Sequence, residues 1–511
     1  MKQTFHDPLI DLNSVSFAYP YSSTEVTAIA RSAAAASGIH NITLRINKGD
    51  RVLVVGRNGS GKSTLLSLIA GRRKALCGSV TVLGSDAFNN TSLQEHVSLI
   101  GQPWPPEAFF ATTIDKIASP APSQERKERI ADVLHISLER GISKMSSGER
   151  RRVQILHGML QKNVIYLLDE CSTDIDVAER KTVLDLIRSE CEDIEGSCCL
   201  YATHILDGIS EWATHILLMQ DGCIVDFKKV DEVKETLELF AHRFLTRDRK
   251  GNFNGKSLIP ISKEKDDAKN NLTNISISER ESVIVCDQLS YKNIFSGLTF
   301  NVYKGERVLL CGCNGSGKST LLNMMGGKQF FNNRNKALRV LGKACYEDMT
   351  LNAFVAFGGD WWNTAPSGEM YVRELVELRT ERAKILRELL DVDMNWDIRR
   401  ISSGEQKRVQ LLLHLLEDKP VILLDEATSD LDLDQRHALL SFLYSESVHR
   451  GVTIVYATHI FGGLEHWPSV VMILDRATRG LCAEWRGADL QWEKITAELF
   501  ALKEREKFIE G

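Results

Sequence analysis

Two nonapeptides, GRNGSGKST from Gly56 and GCNGSGKST from Gly312, lie 256 positions apart in a chain of 511 residues. The same offset separates Gly148 from Gly404, in SSGER and SSGEQ, and Asp169 from Asp425, in YLLDE and ILLDE. His204 and His459, in YATHIL and YATHIF, are 255 apart. Solenoid repeats run to roughly 20–50 residues, so a period this long is a whole domain copied once. Each copy is long enough to bury its own core. The expected organisation is one domain over 1–245, a polar linker rich in Gly, Asn, Ser and Lys over 246–282, and a second domain over 283–511. A short amphipathic helix near Val230–Phe244 is expected to close the first copy. An Ala-rich insert, Ala28–Gly38, enlarges only that copy, near its start.

The bulk composition excludes several function classes. Net charge is −5 with both signs interspersed, which gives no electrostatic reason to bind nucleic acid or an anionic membrane. No apolar run approaches the ~20 residues that cross a bilayer. The first residues, MKQTFHDPLIDL, lack the apolar core of a signal peptide. The expected location is the cytosol, with the nucleus also open. Eleven cysteines are scattered without a C-x-x-C pair, and read as small buried apolar side chains.

In each copy a β-rich run, RVLVV or RVLLC, precedes G-x-x-x-x-G-K-S, and a helix-like apolar pattern follows. That is the strand–loop–helix setting of a phosphate-binding P-loop. Glycines let backbone N–H groups curl round a phosphate, and the helix N-terminus adds positive potential. The candidate ATP contacts are therefore Gly56, Arg57, Asn58, Gly59, Ser60, Gly61, Lys62, Ser63 and Thr64. In the second copy they are Gly312, Cys313, Asn314, Gly315, Ser316, Gly317, Lys318, Ser319 and Thr320. Lys62 and Lys318 should reach the β- and γ-phosphates, and Ser63 and Ser319 should ligate Mg²⁺. YLLDE and ILLDE read as buried strands that deliver Asp169 and Asp425 to the metal. Glu170 and Glu426 then stand where a carboxylate can orient and polarise an attacking water. His204 and His459 end β-like runs at the same place in both copies, which favours a γ-phosphate contact over a merely structural histidine.

The order of P-loop, S-S-G-E turn, L-L-D-E, D-loop and histidine resembles that of the ABC ATPases, across both halves. The resemblance implies an α/β fold with two tandem P-loop ABC-type nucleotide-binding domains. Each would be a RecA-like α/β core with a β-rich subdomain and a helical subdomain. It implies that the S-S-G-E signature turn caps the nucleotide held by the other domain. ATP at Lys62 would then be capped by Ser402, Ser403, Gly404 and Glu405, and ATP at Lys318 by Ser146, Ser147, Gly148 and Glu149. The duplication thus implies two domains that pair within one chain and close head to tail on ATP. The resemblance also places an adenine-stacking aromatic before each P-loop, matching Tyr19, with Phe17 as the alternative, and Tyr291. It matches the family's metal-contacting glutamine to Gln102. Aligning Trp104 with Trp361 puts Gly359 at that place in the second copy, beside Asp360. Arg150–Arg152 read as a solvated or interdomain face.

Both sites keep Lys, Ser, Asp, Glu and His, so both are expected to hydrolyse ATP. The shared string Y-A-T-H-I-[LF]-x-G-[IL]-x-x-W, at Tyr201–Trp212 and Tyr456–Trp467, is similar to small soluble ABC ATPases. These include a yeast factor associated with the CCR–NOT complex, and plant relatives. A regulatory switch in gene expression or mRNA metabolism, with a CCR–NOT-like partner, is the implied role. The twin ATPase subunit of a separate permease and a ribosome-associated translation factor are the alternatives. Against the last, the D-loops read T-D-I-D and S-D-L-D, and the linker is not helix-like.

Overall fold

The computed structural model describes residues 8–19, 38–101, 103–104, 112–142, 145–172, 175–192, 196–245, 281–333, 336–359 and 368–510. The chain divides into two compact units, Met1–Asn254 and Gly255–Gly511. The linker up to residue 280, most of the Ala-rich insert, Gln102, Asp360 and Trp361 lie outside the described residues.

The strands of the first unit are β1 (Ile10–Ala18), β2 (Gly38–Ile46), β3 (Arg51–Gly56), β4 (Cys77–Val82), β5 (Ser85–Asp86), β6 (Val97–Ile100), β7 (Ile165–Asp169), β8 (Cys198–Ala202), β9 (His215–Gln220) and β10 (Cys223–Lys229). They form two sheets, in the orders β2-β1-β4-β5 and β10-β9-β3-β8-β7-β6. The first is antiparallel. The second is parallel except for β10. The central strands β3, β7 and β8 are near-continuous apolar runs, as strands covered on both faces must be. Helices Ile114–Ile117, Gln124–Val133 and Ser147–Met159 fall between β6 and β7 and make the helical subdomain. This is the α/β core with β-rich and helical additions that the motif order implied.

The second unit repeats the plan with β11 (Ser282–Tyr291), β12 (Phe295–Tyr303), β13 (Arg307–Cys311), β14 (Leu338–Val340), β15 (Lys343–Ala344), β16 (Val355–Gly358), β17 (Val421–Asp425), β18 (Thr453–Ala457), β19 (Val470–Asp475) and β20 (Gly480–Arg486). Its sheet orders, β12-β11-β14-β15 and β16-β17-β18-β13-β19-β20, match those of the first unit strand for strand. Each P-loop strand, β3 or β13, lies between two parallel neighbours. Across one intervening strand, its carboxyl end opens at the same sheet edge as the ends of β7 or β17, where the acidic pairs sit. Eight of the eleven cysteines are buried, as small apolar side chains should be.

The closing helix of the first copy is shorter than expected. β10 runs on to Lys229, a single turn of 3₁₀ helix follows at Val230–Glu232, and the α-helix spans Leu237–Leu245. The Thr236 hydroxyl accepts from Leu239 N–H at 3.3 Å and fixes that start.

The Tyr–Trp string has a packing explanation. Trp212 meets Tyr201 edge-on at 6.0 Å between centroids, and Trp467 meets Tyr456 at 6.1 Å. The tyrosine hydroxyls bond Ser172 and Thr428, just past the acidic pairs. The two tryptophans differ in one respect. Trp467 Nε1–H donates to Leu440 O at 2.9 Å, whereas Trp212 Nε1 finds no hydrogen-bond acceptor among the described residues. Trp467→Phe should therefore destabilise its unit more than Trp212→Phe does, by about 1 kcal/mol, the net worth of one buried hydrogen bond. Calorimetric unfolding of the two variants measures the difference, and equal losses would contradict it.

Candidate functional site

Each P-loop is shaped by glycines that nothing larger could replace. Gly61 and Gly317 precede the helices Lys62–Ile69 and Lys318–Met325 with φ of 99° and 98°. A Cβ on Gly61 would lie 2.7 Å from Ile39 Cγ2, and one on Gly317 2.7 Å from Ile294 Cγ2. A Cβ on Gly56 would sit 2.4 Å from Met219 O. Lys62 Nζ donates to Gly56 O at 2.7 Å and to Arg57 O at 3.1 Å. Lys318 Nζ donates to Gly312 O at 2.8 Å and Cys313 O at 3.0 Å. The loop carbonyls thus hold each buried ammonium within the curl of the backbone, where a phosphate could exchange for them.

Across from each lysine stands the acidic pair. The Ser63 hydroxyl stands near the Asp169 carboxyl, and the Ser319 hydroxyl near Asp425, and each favours the charged aspartate. Burial, with the adjacent glutamate adding to it, raises both aspartate pKa values despite these hydroxyls. Asp169 Oδ1 is buried and accepts no hydrogen bond among the described residues. A hydroxyl and a desolvated carboxylate side by side are a hard-oxygen donor set that fits Mg²⁺, which takes few protein ligands and the rest from phosphate and water.

Glu170 and Glu426 follow with φ of 51° and 49°, the left-handed region that non-glycine residues avoid. Their N–H groups donate to Ala202 O and Ala457 O, each at 2.9 Å. His204 Nδ1 lies 2.8 Å from Glu170 Oε2, and His459 Nδ1 2.9 Å from Glu426 Oε1. Burial alone would raise the glutamate pKa values. The histidine's charge and hydrogen bond, with the P-loop lysine, outweigh it and hold both carboxylates below their ordinary range. Each histidine is thus brought to the glutamate beside its P-loop.

Ser146 and Ser402 are the N-caps of the helices Ser147–Met159 and Ser403–Leu415. Both make a capping box. Glu149 N–H donates to Ser146 Oγ at 3.2 Å and Ser146 N–H to Glu149 Oε2 at 2.8 Å, and the bonds of Ser402 with Glu405 are 3.3 and 2.7 Å. The capping box explains why glutamate stands at the fourth position of both turns. Gly148 and Gly404 lie in the first turns of these helices.

A family model described as ABC transporter matches residues 39–173 and 295–429. The chain belongs to the ABC transporter family. ABC transporter I family member 20 of Arabidopsis thaliana is 35% identical over 213 residues, which cover 39% of this chain and 64% of that protein. CCR4-associated factor 16 of Saccharomyces cerevisiae is 33% identical over 205 residues, covering 36% of this chain and 71% of that protein. Among solved structures, a chain of the complex between the archaeal ribosomal stalk protein aP1 and the archaeal ribosome recycling factor aABCE1 superposes with a TM-score of 0.66 at 20% identity. That match covers 90% of both chains. Membership makes each copy an ABC ATPase domain. Among the described residues no helix is long and apolar enough to cross a membrane.

Against that family plan, three expectations need correction. Tyr19 and Tyr291 are not equivalent. Asn41 N–H donates to Ser16 Oγ and Gly297 N–H to Ser290 Oγ, at 2.9 and 3.0 Å, so Phe17 and Tyr291 share one place. The second copy has Asn293 where the first has Tyr19. Tyr291 packs against the core, whereas the Tyr19 ring lies under Arg73 at 4.6 Å and its hydroxyl bonds Thr64 at 2.9 Å.

Pairing of β6 with β7 sets Val97 beside Ile165, and pairing of β16 with β17 sets Val355 beside Val421. Counting on, Gly359 corresponds to Gly101, and the residue matching Gln102 is Asp360. The tryptophan alignment was one residue out. A Cβ on Gly359 would lie 2.7 Å from the Phe357 ring and 3.3 Å from Asp425 Cβ, so a side chain there would have to displace that ring.

Arg150–Arg152 are not a solvated face. Arg151 is 2% exposed, Arg152 pairs with Glu179 at 3.1 Å, and Arg150 bonds Met145 O at 2.6 Å. Three consecutive cations read as surface in sequence. Three successive positions at the start of a helix point in different directions, so one of them turns inward.

Proposed function

We propose that the chain is an ATP-driven protein switch that acts on a regulatory assembly of gene expression. Each P-loop holds ATP, and the signature turn of the other domain caps it. Lys62 and Lys318 stabilise the β- and γ-phosphates. When bound, Mg²⁺ would neutralise phosphate charge, held by Ser63 with Asp169 and by Ser319 with Asp425. Glu170 and Glu426 accept a hydrogen bond from the attacking water and orient it in line. His204 and His459 keep those carboxylates charged and in place, and are set to reach the γ-phosphate. ATP favours the closed pair of domains because its γ-phosphate bridges them, and hydrolysis removes the bridge. The observation that carries this reading is the duplicated His–Glu pair, at 2.8 and 2.9 Å, beside the P-loop lysine of each copy.

Similarity to the yeast CCR4-associated factor supports the choice of a CCR–NOT-like partner over a permease or a ribosome. Glu170→Gln with Glu426→Gln should trap the ATP-bound state. Affinity purification of that variant, against Lys62→Ala with Lys318→Ala, tests the partner by mass spectrometry. Enrichment of deadenylation or transcription proteins is expected. A membrane permease or ribosomal proteins in their place would overturn the assignment.

A further inference from the structure

Arg151 and Lys407 hold the same place in the two signature helices, 256 residues apart. Arg151 reaches across its own domain to the end of β7. Its Nη2 donates to Glu170 O at 2.8 Å, its Nε to Cys171 O at 3.0 Å, and its Nη1 to Gly101 O at 2.6 Å. Lys407 Nζ lies 3.1 Å from Ser429 Oγ and 3.4 Å from Asp430 Oδ2. Ser429 Oγ in turn lies 3.0 Å from Glu426 O. It is also 3.0 Å from Asp430 Oδ2, and its single hydrogen can serve only one of the two. With the ammonium beside that carboxylate, the hydroxyl hydrogen can serve the glutamate carbonyl. One peptide carbonyl is therefore held directly in the first copy and through a hydroxyl in the second.

That carbonyl belongs to a residue held in a costly backbone state. A left-handed φ on a non-glycine residue is strained and persists only where neighbours fix it. Sheet pairing fixes the N–H of each glutamate. We propose that Arg151, and Lys407 acting through Ser429, are positioning residues that fix the carbonyl side and so aim Glu170 and Glu426. The proposal rests on these glutamates orienting the attacking water. A looser glutamate would lower kcat and leave ATP binding, made by the P-loop, unchanged.

The second copy offers a rescue test in the full chain. Ser429→Ala cuts the relay. Adding Lys407→Arg supplies a guanidinium that can reach Glu426 O as Arg151 reaches Glu170 O. In a Glu170→Gln background, where remaining turnover comes from the second site, Ser429→Ala should lower kcat on the order of ten-fold at unchanged KM, because a small misplacement of a catalytic group is expensive. The added Lys407→Arg should restore most of it. Amide hydrogen exchange over 424–430 provides a readout that needs no activity: it should quicken in Ser429→Ala and slow again in the double variant. Unchanged exchange in Ser429→Ala, or a double variant as slow and as mobile as the single one, overturns the proposal. If exchange behaves as expected while Glu426→Gln leaves turnover intact, the clamp stands and the role given to the glutamate falls.

Discussion

Glu170→Gln together with Glu426→Gln abolishes steady-state ATP hydrolysis, by at least about 100-fold, while ATP binding survives. Glutamine keeps the size and the hydrogen-bonding reach of the side chain. It removes the negative charge that lets the carboxylate polarise a water. Binding should survive because the proposed phosphate contacts come from the P-loop and its lysine, whose ammonium bonds the loop carbonyls. Each single variant should keep the turnover of the other site. Phosphate release under saturating ATP, with equilibrium binding of a fluorescent ATP analogue, separates the two effects. A double variant that still turns over at the wild-type rate would exclude both glutamates from the chemistry. The same substitution has a signature in stability. The folded-state pKa of each glutamate lies below its ordinary value of 4.5. The resulting stabilisation is therefore present above that value and fades as pH falls through the lower folded-state value. Below about pH 4.5 the wild type should lose stability more steeply than the double variant.

The parts of this site that were legible in sequence are those where chemistry dictates residue type over a short span. An apolar run ending in Asp-Glu beside a P-loop reads as a buried strand delivering charge to an edge, as Ile165–Asp169 and Val421–Asp425 do. A Gly-x-x-x-x-Gly-Lys-Ser turn needs its glycines for backbone room, and the geometry at Gly61 and Gly317 gives the reason. What could not be read depends on register between elements distant in sequence. The bulges in β1 and β11, with left-handed Ser14 and Gln288, decide that Phe17 and not Tyr19 corresponds to Tyr291. Similar-looking letters in FAYP and LSYKN pointed the other way. The pairing of β16 with β17 likewise moved the glutamine equivalent from Gly359 to Asp360. Arg151 hid for another reason. Arginine is seldom fully buried, and it is tolerated here because peptide carbonyls at the end of β7 accept from its guanidinium.

Ser403→Arg should stop ATP turnover at the Lys62 site and leave nucleotide binding at both P-loops intact. The prediction follows from assigning each signature turn to the nucleotide of the other copy. Inside its own domain Ser402 already spends its hydroxyl on the capping box with Glu405. The helix behind it, Ser403–Leu415, presents its N-terminal dipole and the compact first-turn Gly404 as an anion site. Under that assignment an arginine at position 403 would put a long side chain in the way, and the γ-phosphate of the ATP it caps would lose its second set of donors. Removing such preorganised donors costs on the order of 100-fold in turnover. The Lys318 site, whose cap the same assignment places at Ser146 and Gly148, should keep its rate or fall far less. Vanadate trapping with a photoreactive ATP analogue, followed by peptide mapping, reads the two sites separately in one chain. Label lost from peptides around Lys62 and kept around Lys318 supports head-to-tail pairing. The reverse pattern would mean that each signature turn serves its own P-loop. Equal loss at both would mean that hydrolysis at one site is conditional on closure at the other, and the two sites would have to be treated as a single catalytic unit.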